Sequence, residues 1–271
     1  GASGIRATPP PPDPRRHATP EDLADGVGTF TSIPWGFDTN SYWLEGPDGV
    51  VVIDTQFLPS EAERLLDVIA AATPKPVVLA IVLHPNPDKF NGADVLRARG
   101  VRVVTSAQVL AQVPKVAASR RRAFSKRYAP DYPAQDPQLE SLGDQSTTLR
   151  AAGLELRVHV LGRGASEAHV VVEHRGHLFG GDLLVSGTHA WLELGYVSEW
   201  LAQLDTLRAL SPRRVHPGRG PSGGPELLDG TRAYLGRVQA LAAEHCTGAA
   251  STPKGAEVVR AQLEREYAGY A

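Results

Sequence analysis

The chain has 271 residues, of which 42% are hydrophobic and 21% charged, and its formal net charge is −2. The slightly negative charge argues against a dedicated binder of nucleic acid or of an anionic membrane surface, because electrostatic steering and counterion release would both be weak. The single cysteine, Cys246, excludes an intramolecular disulfide and a cysteine-based zinc site. No apolar run approaches the ~20 residues that a membrane-spanning helix needs.

Residues 1–24 are predicted to be a disordered, proline-rich arm, since the run from Pro9 to Pro12 favours polyproline II and cannot pack a core. The folded domain is predicted to occupy residues 25–271. The chain contains no methionine, so we interpret its start as a processed or trimmed end. A proline-rich segment is common after a removed export signal. The sequence therefore leaves two alternatives for the location of the protein, export or the cytoplasm.

The first elements after the arm carry clear local signals. The stretch "NSYWLEGPDGVVVIDT" predicts a hairpin, with the turn residues Gly46 to Gly49 between two β-rich runs. Ser60 and Glu63 form a capping-box pattern at the start of an amphipathic helix. Residues 74–84, "PKPVVLAIVLH", predict a strand buried on both faces, as in the centre of a sheet.

The rest of the chain alternates in the same way and shows no repeat. A short helix over 92–100 and a strand over 101–106 are followed by a helical stretch over 107–128, which we expect to be interrupted at Pro114. Three β-like runs follow the loop at 129–145: 147–162, 168–176 and 177–187. Helices are then predicted over 198–210, 225–246 and 254–268. The layout is two β-rich halves, each ending in helices.

Polar residues follow several of the predicted strands. They lie in the segments 84–91, 162–168 and 216–224, and in Gly180-Gly181-Asp182. Ligand sites of open α/β sheets gather at the carboxyl ends of strands, so we expect these loops to converge.

The order of these motifs resembles the metallo-β-lactamase superfamily in its glyoxalase-II-like and broader hydrolase branches. Five segments carry the resemblance: "GVVVIDT", "LHPNPDKFNGA", "VLGRGASEAHVVV", "LFGGDLL" and "VHPGRGP". It covers about residues 25–246. It implies an α/β protein built as a four-layer αββα sandwich.

The resemblance also implies a site, from which this sequence departs. His84, Asp88 and Asp182 stand at metal-ligand positions of the family. Four other ligand positions lack the family's histidines and hold Asn86, Lys89, Ala165 and Arg219 instead. Each of two metals would keep only two protein ligands, fewer than the three that catalytic zinc normally has. We therefore expect no metal cofactor, with a single weakly bound zinc as the alternative.

Lys89 and Arg219 both stand at positions of the second metal, where they could neutralise Asp88 and Asp182. This arrangement favours a metal-free cluster that binds a polar or anionic small molecule in a non-catalytic or accessory role. The predicted ligand-binding residues are Asn86, Lys89, Arg219 and Trp35; the last lies in a loop that overhangs the substrate in the resembled family.

The alternative is a noncanonical hydrolase, so whether the chain is an enzyme is left open. It would use a rescued mononuclear metal site, or acid/base chemistry through His84 with Asp88 and Asp182 as partners. His169 and His189 could turn towards such a site. We expect His174 and His177 to lie at a remote hairpin end and His216 to be structural. The basic run 119–128 is interpreted as a solvated helix face, and the oligomeric state is left open.

Overall fold

The protein is described by a computed structural model that defines residues 18–190, 192, 195–245 and 253–271. Most of the predicted arm, residues 1–17, and Cys246 lie outside the described residues. The mixed α/β architecture consists of two β-sheets packed face to face with helices on their outer sides. This arrangement confirms the fold class expected from the sequence.

The first sheet contains strands β1 to β6 in their order along the chain. The strands are β1 (Val27–Thr31), β2 (Asn40–Glu45), β3 (Val50–Ile53), β4 (Val77–Ile81), β5 (Arg102–Thr105) and β6 (Glu140–Ser141). The first three are antiparallel, and β3, β4, β5 and β6 pair in parallel. The predicted hairpin is confirmed as β2–β3, and the apolar run at 74–84 supplies the interior strand β4.

The second sheet has the order β11-β10-β9-β8-β7. Its strands are β7 (Thr147–Ala151), β8 (Leu154–Leu161), β9 (His169–His174), β10 (His177–Gly181) and β11 (Arg214–Pro217). Only β10 and β11 are parallel. Their carboxyl ends therefore meet at one edge of the sheet.

Helices cover the outer faces of both sheets. In chain order, the α-helices of the described residues are α1 (Pro20–Ala24), α2 (Pro59–Ala72), α3 (Pro87–Phe90), α4 (Ala93–Ala98), α5 (Ala107–Tyr128), α6 (Val197–Ala209), α7 (Glu226–His245) and α8 (Pro253–Glu266). Helices α2, α4 and α5 pack on the first sheet, and α6, α7 and α8 pack on the second. None of the helices in the described ranges has both the length and the apolar character needed to cross a membrane.

Strand β9 illustrates how the sequence produces the layers. Val170 and Val172 belong to the core between the two sheets, whereas Val171 belongs to the core beneath α6, α7 and α8. Successive side chains of a strand point to opposite faces, so a run of apolar residues serves two cores at once.

Three local predictions are wrong. The predicted arm is folded from Thr19, which caps α1 through a capping box with Asp22. Helix α2 begins at Pro59 without a side-chain cap, because its N-cap residue is Leu58, whose side chain cannot accept a hydrogen bond. Ser60 lies inside the helix, and its backbone N–H and hydroxyl bond to Asp131. Pro114 does not interrupt α5, which runs unbroken through it and buries Val113 and Ala117 on its inner face. Tertiary packing overrides the local proline signal there.

Candidate functional site

The strand ends converge as expected. His84 follows β4, and Asp88 and Lys89 lie in the short helix α3 just beyond it. Asp182 follows β10 and Arg219 follows β11, so the parallel pairing of these strands brings both residues to the same edge. The structure thus gathers five of the seven predicted site residues into one cluster.

Lys89 occupies the centre of the cluster and is fully buried. Its Nζ lies 3.1 Å from Oδ1 of Asp182 and 3.3 Å from Oδ2 of Asp88. Burial by itself lowers the pKa of Lys89, but the charges of Asp182, Asp88 and Asp54 outweigh burial and raise it. The side chain is therefore a buried ammonium that serves two carboxylates.

Asp182 is the complement of this ammonium. Burial would raise the pKa of Asp182, yet Lys89, His84 and Arg219 together hold it well below its usual range. A Cβ atom at Gly218 would lie 2.1 Å from Oδ1 of Asp182 and 2.7 Å from Nζ of Lys89. The absence of a side chain at Gly218 is thus what lets the ion pair sit against the backbone after β11.

His84 is fully buried behind Asp182. Its Nε2 lies 3.3 Å from Oδ2 of Asp182, and its Nδ1 is hydrogen-bonded to Oγ of Ser166 at 2.8 Å. The backbone N–H of Ser166 in turn donates to Nε2 of His169, whose pKa burial lowers well below its ordinary value. His169 is thus brought near the cluster, and it supports the Ser166 loop.

Arg219 closes the cluster on the solvent side, with 38% of its side chain exposed. One of its terminal nitrogens lies 3.7 Å from Oδ2 of Asp88, and its guanidinium lies 5.4 Å from the centre of the Phe37 ring. Its buried Nε has no hydrogen-bond partner. Asp88 also accepts a hydrogen bond from the hydroxyl of Thr39.

Asp54 is a member of the cluster that the sequence reasoning missed. It ends strand β3, is buried, and accepts a hydrogen bond from the backbone N–H of Leu83. Burial raises the pKa of Asp54 to about 7, against the opposing effect of Lys89 and His84. The sequence did contain a signal for Asp54, because this acidic residue directly follows the apolar strand β3. Strand β3 is parallel to β4, and neighbouring parallel strands have their carboxyl ends at the same edge of the sheet.

A cavity of about 330 Å³ lies over this cluster. Its polar lining is Asn86, Asp88, Arg120, Asp182, Thr188, His189 and Arg219, and its apolar lining is Phe37, Phe57, Pro87, Phe124, Leu184, Val185 and Ala190. His84 and Lys89 are not among the described lining residues, because they lie beneath Asp182 and Asp88. Arg120 and Phe124 belong to the predicted solvated face of α5, so that interpretation is only partly right.

Trp35 is not brought into this site. It is 44% exposed and packs on Tyr128 at a ring distance of 4.3 Å, beneath the guanidinium of Arg127. Phe37, two residues later, lines the cavity instead. His189 also lines the cavity, with its Nδ1 hydrogen-bonded to the hydroxyl of Tyr234.

A second group of histidines lies away from the cavity. Ligand atoms of Asp22, His177 and His216 lie within 4.8 Å of one another, the one such trio among the described residues. His177 bonds to His216 at 2.9 Å and to Asp25 at 2.7 Å, and His216 bonds to Ser222.

The guanidinium of Arg214 bonds to both carboxylate oxygens of Asp22. These contacts account for all four ring nitrogens of His177 and His216 and for the Asp22 carboxylate without a metal ion. They fasten α1 to strands β10 and β11.

Comparison with known proteins agrees with the geometry. The sequence profile described as the metallo-beta-lactamase superfamily matches residues 34–219. Among solved structures, a metallo-beta-lactamase from Pontibacter korlensis superimposes with a TM-score of 0.61 at 24% identity, covering 78% of this chain and 94% of that one. At this identity the likeness shows the fold alone. From the profile match, the chain belongs to the metallo-beta-lactamase superfamily.

Proposed function

We propose that the cavity is a metal-free site that binds a small anionic molecule in a non-catalytic or accessory role. The observation that carries the proposal is the position of the Lys89 ammonium between Asp88 and Asp182. The family resemblance assigns these two carboxylates to the second metal, so a side-chain cation stands where a metal cation would be needed. Two fixed cations, Lys89 and Arg219, then balance two fixed carboxylates.

The donor set does not fit zinc. A protonated amine has no lone pair to donate, and the raised pKa of Lys89 keeps it protonated. His84, Asp88 and Asp182 do not form a trio of ligand atoms within reach of one ion; among the described residues the one such trio is Asp22, His177 and His216. Zinc sites with catalytic activity use three protein ligands.

The balance of charge favours an anion. Three cationic side chains, Lys89, Arg120 and Arg219, lie at or beneath the cavity, against the carboxylates of Asp88 and Asp182. The buried Asp54 adds only part of a negative charge near neutral pH, because its pKa is raised to about 7. Arg219 lines the cavity with 38% of its side chain exposed, so its guanidinium retains accessible donors for a carboxylate or phosphate. Asn86, also in the lining, offers a neutral donor.

The alternative of acid/base catalysis through His84 has one observation in its favour, because Ser166, His84 and Asp182 are linked in series. The same geometry weighs against it. His84 is fully buried and Ser166 nearly so, and neither is among the described residues that line the cavity. A catalytic base must come within hydrogen-bond reach of its substrate. Binding is therefore the better-supported function.

The test is isothermal titration calorimetry with acetate, phosphate and 2-naphthoate on protein treated with a chelator. We expect at least one of these anions to bind with or without chelator. Arg219→Gln should weaken binding ~10- to 100-fold, the equivalent of a lost charged hydrogen bond. Arg102→Gln, which alters an exposed arginine away from the cavity, is the matched control. Absence of binding, or binding that needs added zinc, would refute the proposal.

A further inference from the structure

We infer that the bound anion is amphipathic: a carboxylate held at Arg219 is attached to a flat aromatic group that packs on Phe37, Phe57 and Phe124. The charged half of this inference rests on the proposed function. The aromatic half rests on separate features of the cavity, namely its apolar lining, the backbone of Phe37 and the place of that ring beneath Arg219.

The apolar lining of the cavity comes from two distinct clusters. Phe37, Phe57 and Phe124 form an aromatic group whose rings meet edge-on, with centroids 4.9 to 6.1 Å apart. Leu184 and Val185 come from the core beneath α6, α7 and α8. A ligand in the cavity thus contacts aromatic rings and aliphatic side chains. A small inorganic anion would leave this lining unused.

The size of the cavity limits the ligand. About 330 Å³ is at the small end of the range of ~300–1,000 Å³ typical of small-molecule pockets. A compact one- or two-ring acid suits that volume better than a long flexible chain, because each ordered rotor of a chain loses conformational entropy on binding.

The backbone at Phe37 is strained, and this strained turn places the Phe37 ring at the cavity. Phe37 has φ 70° and ψ 21°, and Asp38 follows with φ 51°, so two consecutive non-glycine residues adopt the left-handed region. Strain of this kind persists where the surrounding structure over-determines it, and it concentrates at functional sites. Here the hydroxyl of Ser32, which donates to the carbonyl of Gly36 and accepts from the backbone N–H of Thr39, holds the turn that places the Phe37 ring at the cavity.

The position of the Phe37 ring determines how the carboxylate and the aromatic group of the ligand are arranged in the cavity. The Arg219 guanidinium lies 5.4 Å from the centre of that ring. A carboxylate bonded to Arg219 therefore has its attached ring within stacking distance of the aromatic group. Benzoate- or naphthoate-like acids have this geometry, with the charge and the ring joined directly.

The experiment compares three probes by calorimetry: acetate (charge only), 2-naphthol (ring only, neutral at pH 7) and 2-naphthoate (both). We expect 2-naphthoate to bind at least ~10-fold more tightly than either of the others. Phe37→Leu should weaken 2-naphthoate binding ~3- to 10-fold and leave acetate binding unchanged. Trp35→Leu is the matched control, because it removes an aromatic ring two residues away that lies outside the cavity.

The outcomes separate this inference from the proposed function. Equal affinity for acetate and 2-naphthoate would refute the aromatic half and leave the anion site intact. Equal affinity for 2-naphthol and 2-naphthoate would refute both, as would binding of none of the probes. If Phe37→Leu fails to fold, nuclear Overhauser contacts between 2-naphthoate and the Phe37 or Phe124 ring protons of the unaltered protein give the same answer. Their absence in a formed complex would overturn the inference.

Discussion

The ammonium of Lys89 lies 3.1 Å from a carboxylate oxygen of Asp182, and the lysine is fully buried. Lys89 lies in α3, which follows strand β4 of the first sheet, and Asp182 follows strand β10 of the second sheet. Their ion pair therefore ties the two halves of the sandwich together at the edge where the cavity opens. The contact makes the stability of this edge depend on a single buried charge.

Replacing this lysine should destabilise the fold strongly. Lys89→Met leaves the carboxylates of Asp88 and Asp182 without the buried ammonium between them, which should lower the free energy of unfolding by about 3–5 kcal/mol near neutral pH. Urea denaturation measures the loss. Lys75→Met, at a partly exposed ion pair with Glu45, should cost at most about 1 kcal/mol.

Acidification should shrink the Lys89→Met deficit. The lowered pKa of Asp182 contributes stability that is present above its unfolded pKa, near 3.8, and is lost as the pH falls through its folded pKa. A deficit no larger than that of Lys75→Met would contradict a central role for the buried ion pair.

Restoring the family's ligands should restore metal binding. The wild-type protein should retain less than about a tenth of an equivalent of zinc after loading and dialysis. The combination Asn86→His, Lys89→His, Ala165→His and Arg219→His should retain at least one, as measured by elemental analysis without a metal-affinity column. Stoichiometric wild-type zinc lost on Asp182→Ala would contradict the metal-free site.

Zinc that is instead lost on His216→Phe would place an ion at the trio of Asp22, His177 and His216. That result would leave the cavity metal-free but would show that the hydrogen-bonded histidine pair can exchange its contacts for a metal.

Gly218 should not tolerate even a methyl group. Gly218→Ala places a Cβ atom 2.1 Å from Oδ1 of Asp182, so the ion pair must shift. We expect a loss of about 1–3 kcal/mol in unfolding free energy, typical of overpacking, together with weaker anion binding. The control is Gly236→Ala in α7, where nothing lies within 4 Å of the new atom. That change should stabilise the helix by up to about 1 kcal/mol. Equal effects of the two variants would argue against steric control of the site.

Asp54 should make the stability depend on pH in a definite sense. Its folded pKa is raised to about 7 from 3.8, so the folded protein holds a proton that the unfolded chain has released. Stability should therefore fall as the pH rises from about 4 to 7, by roughly 1.4 kcal/mol per unit at most, and then level off. Asp54→Asn should remove this slope. Parallel stability curves for the two proteins between pH 4.5 and 8 would refute the assignment.

Local sequence patterns determined the elements of the fold. The β2–β3 hairpin follows from its turn residues, β4 from an apolar run flanked by prolines, and α7 and α8 from periodic apolar residues. These signals depend on near neighbours in the chain. The polar residues that follow β4, β10 and β11 likewise predicted where a site would form. Once the strands are located in the sequence, the positions of their carboxyl ends are known as well.

Only the tertiary structure decided which side chains enter the site. Lysine is normally exposed, and the local sequence around Lys89 does not predict its burial. Burial is tolerated because the ammonium pairs with Asp88 and with Asp182, which lies 93 positions further along the chain. Phe37 rather than Trp35 reaches the cavity because of a left-handed turn. The pKa of Asp54 depends on its burial, which raises it, and on the charge of Lys89, which lowers it. Solvation and charge pairing depend on distances between residues far apart in sequence, and those distances exist only once the two sheets have packed.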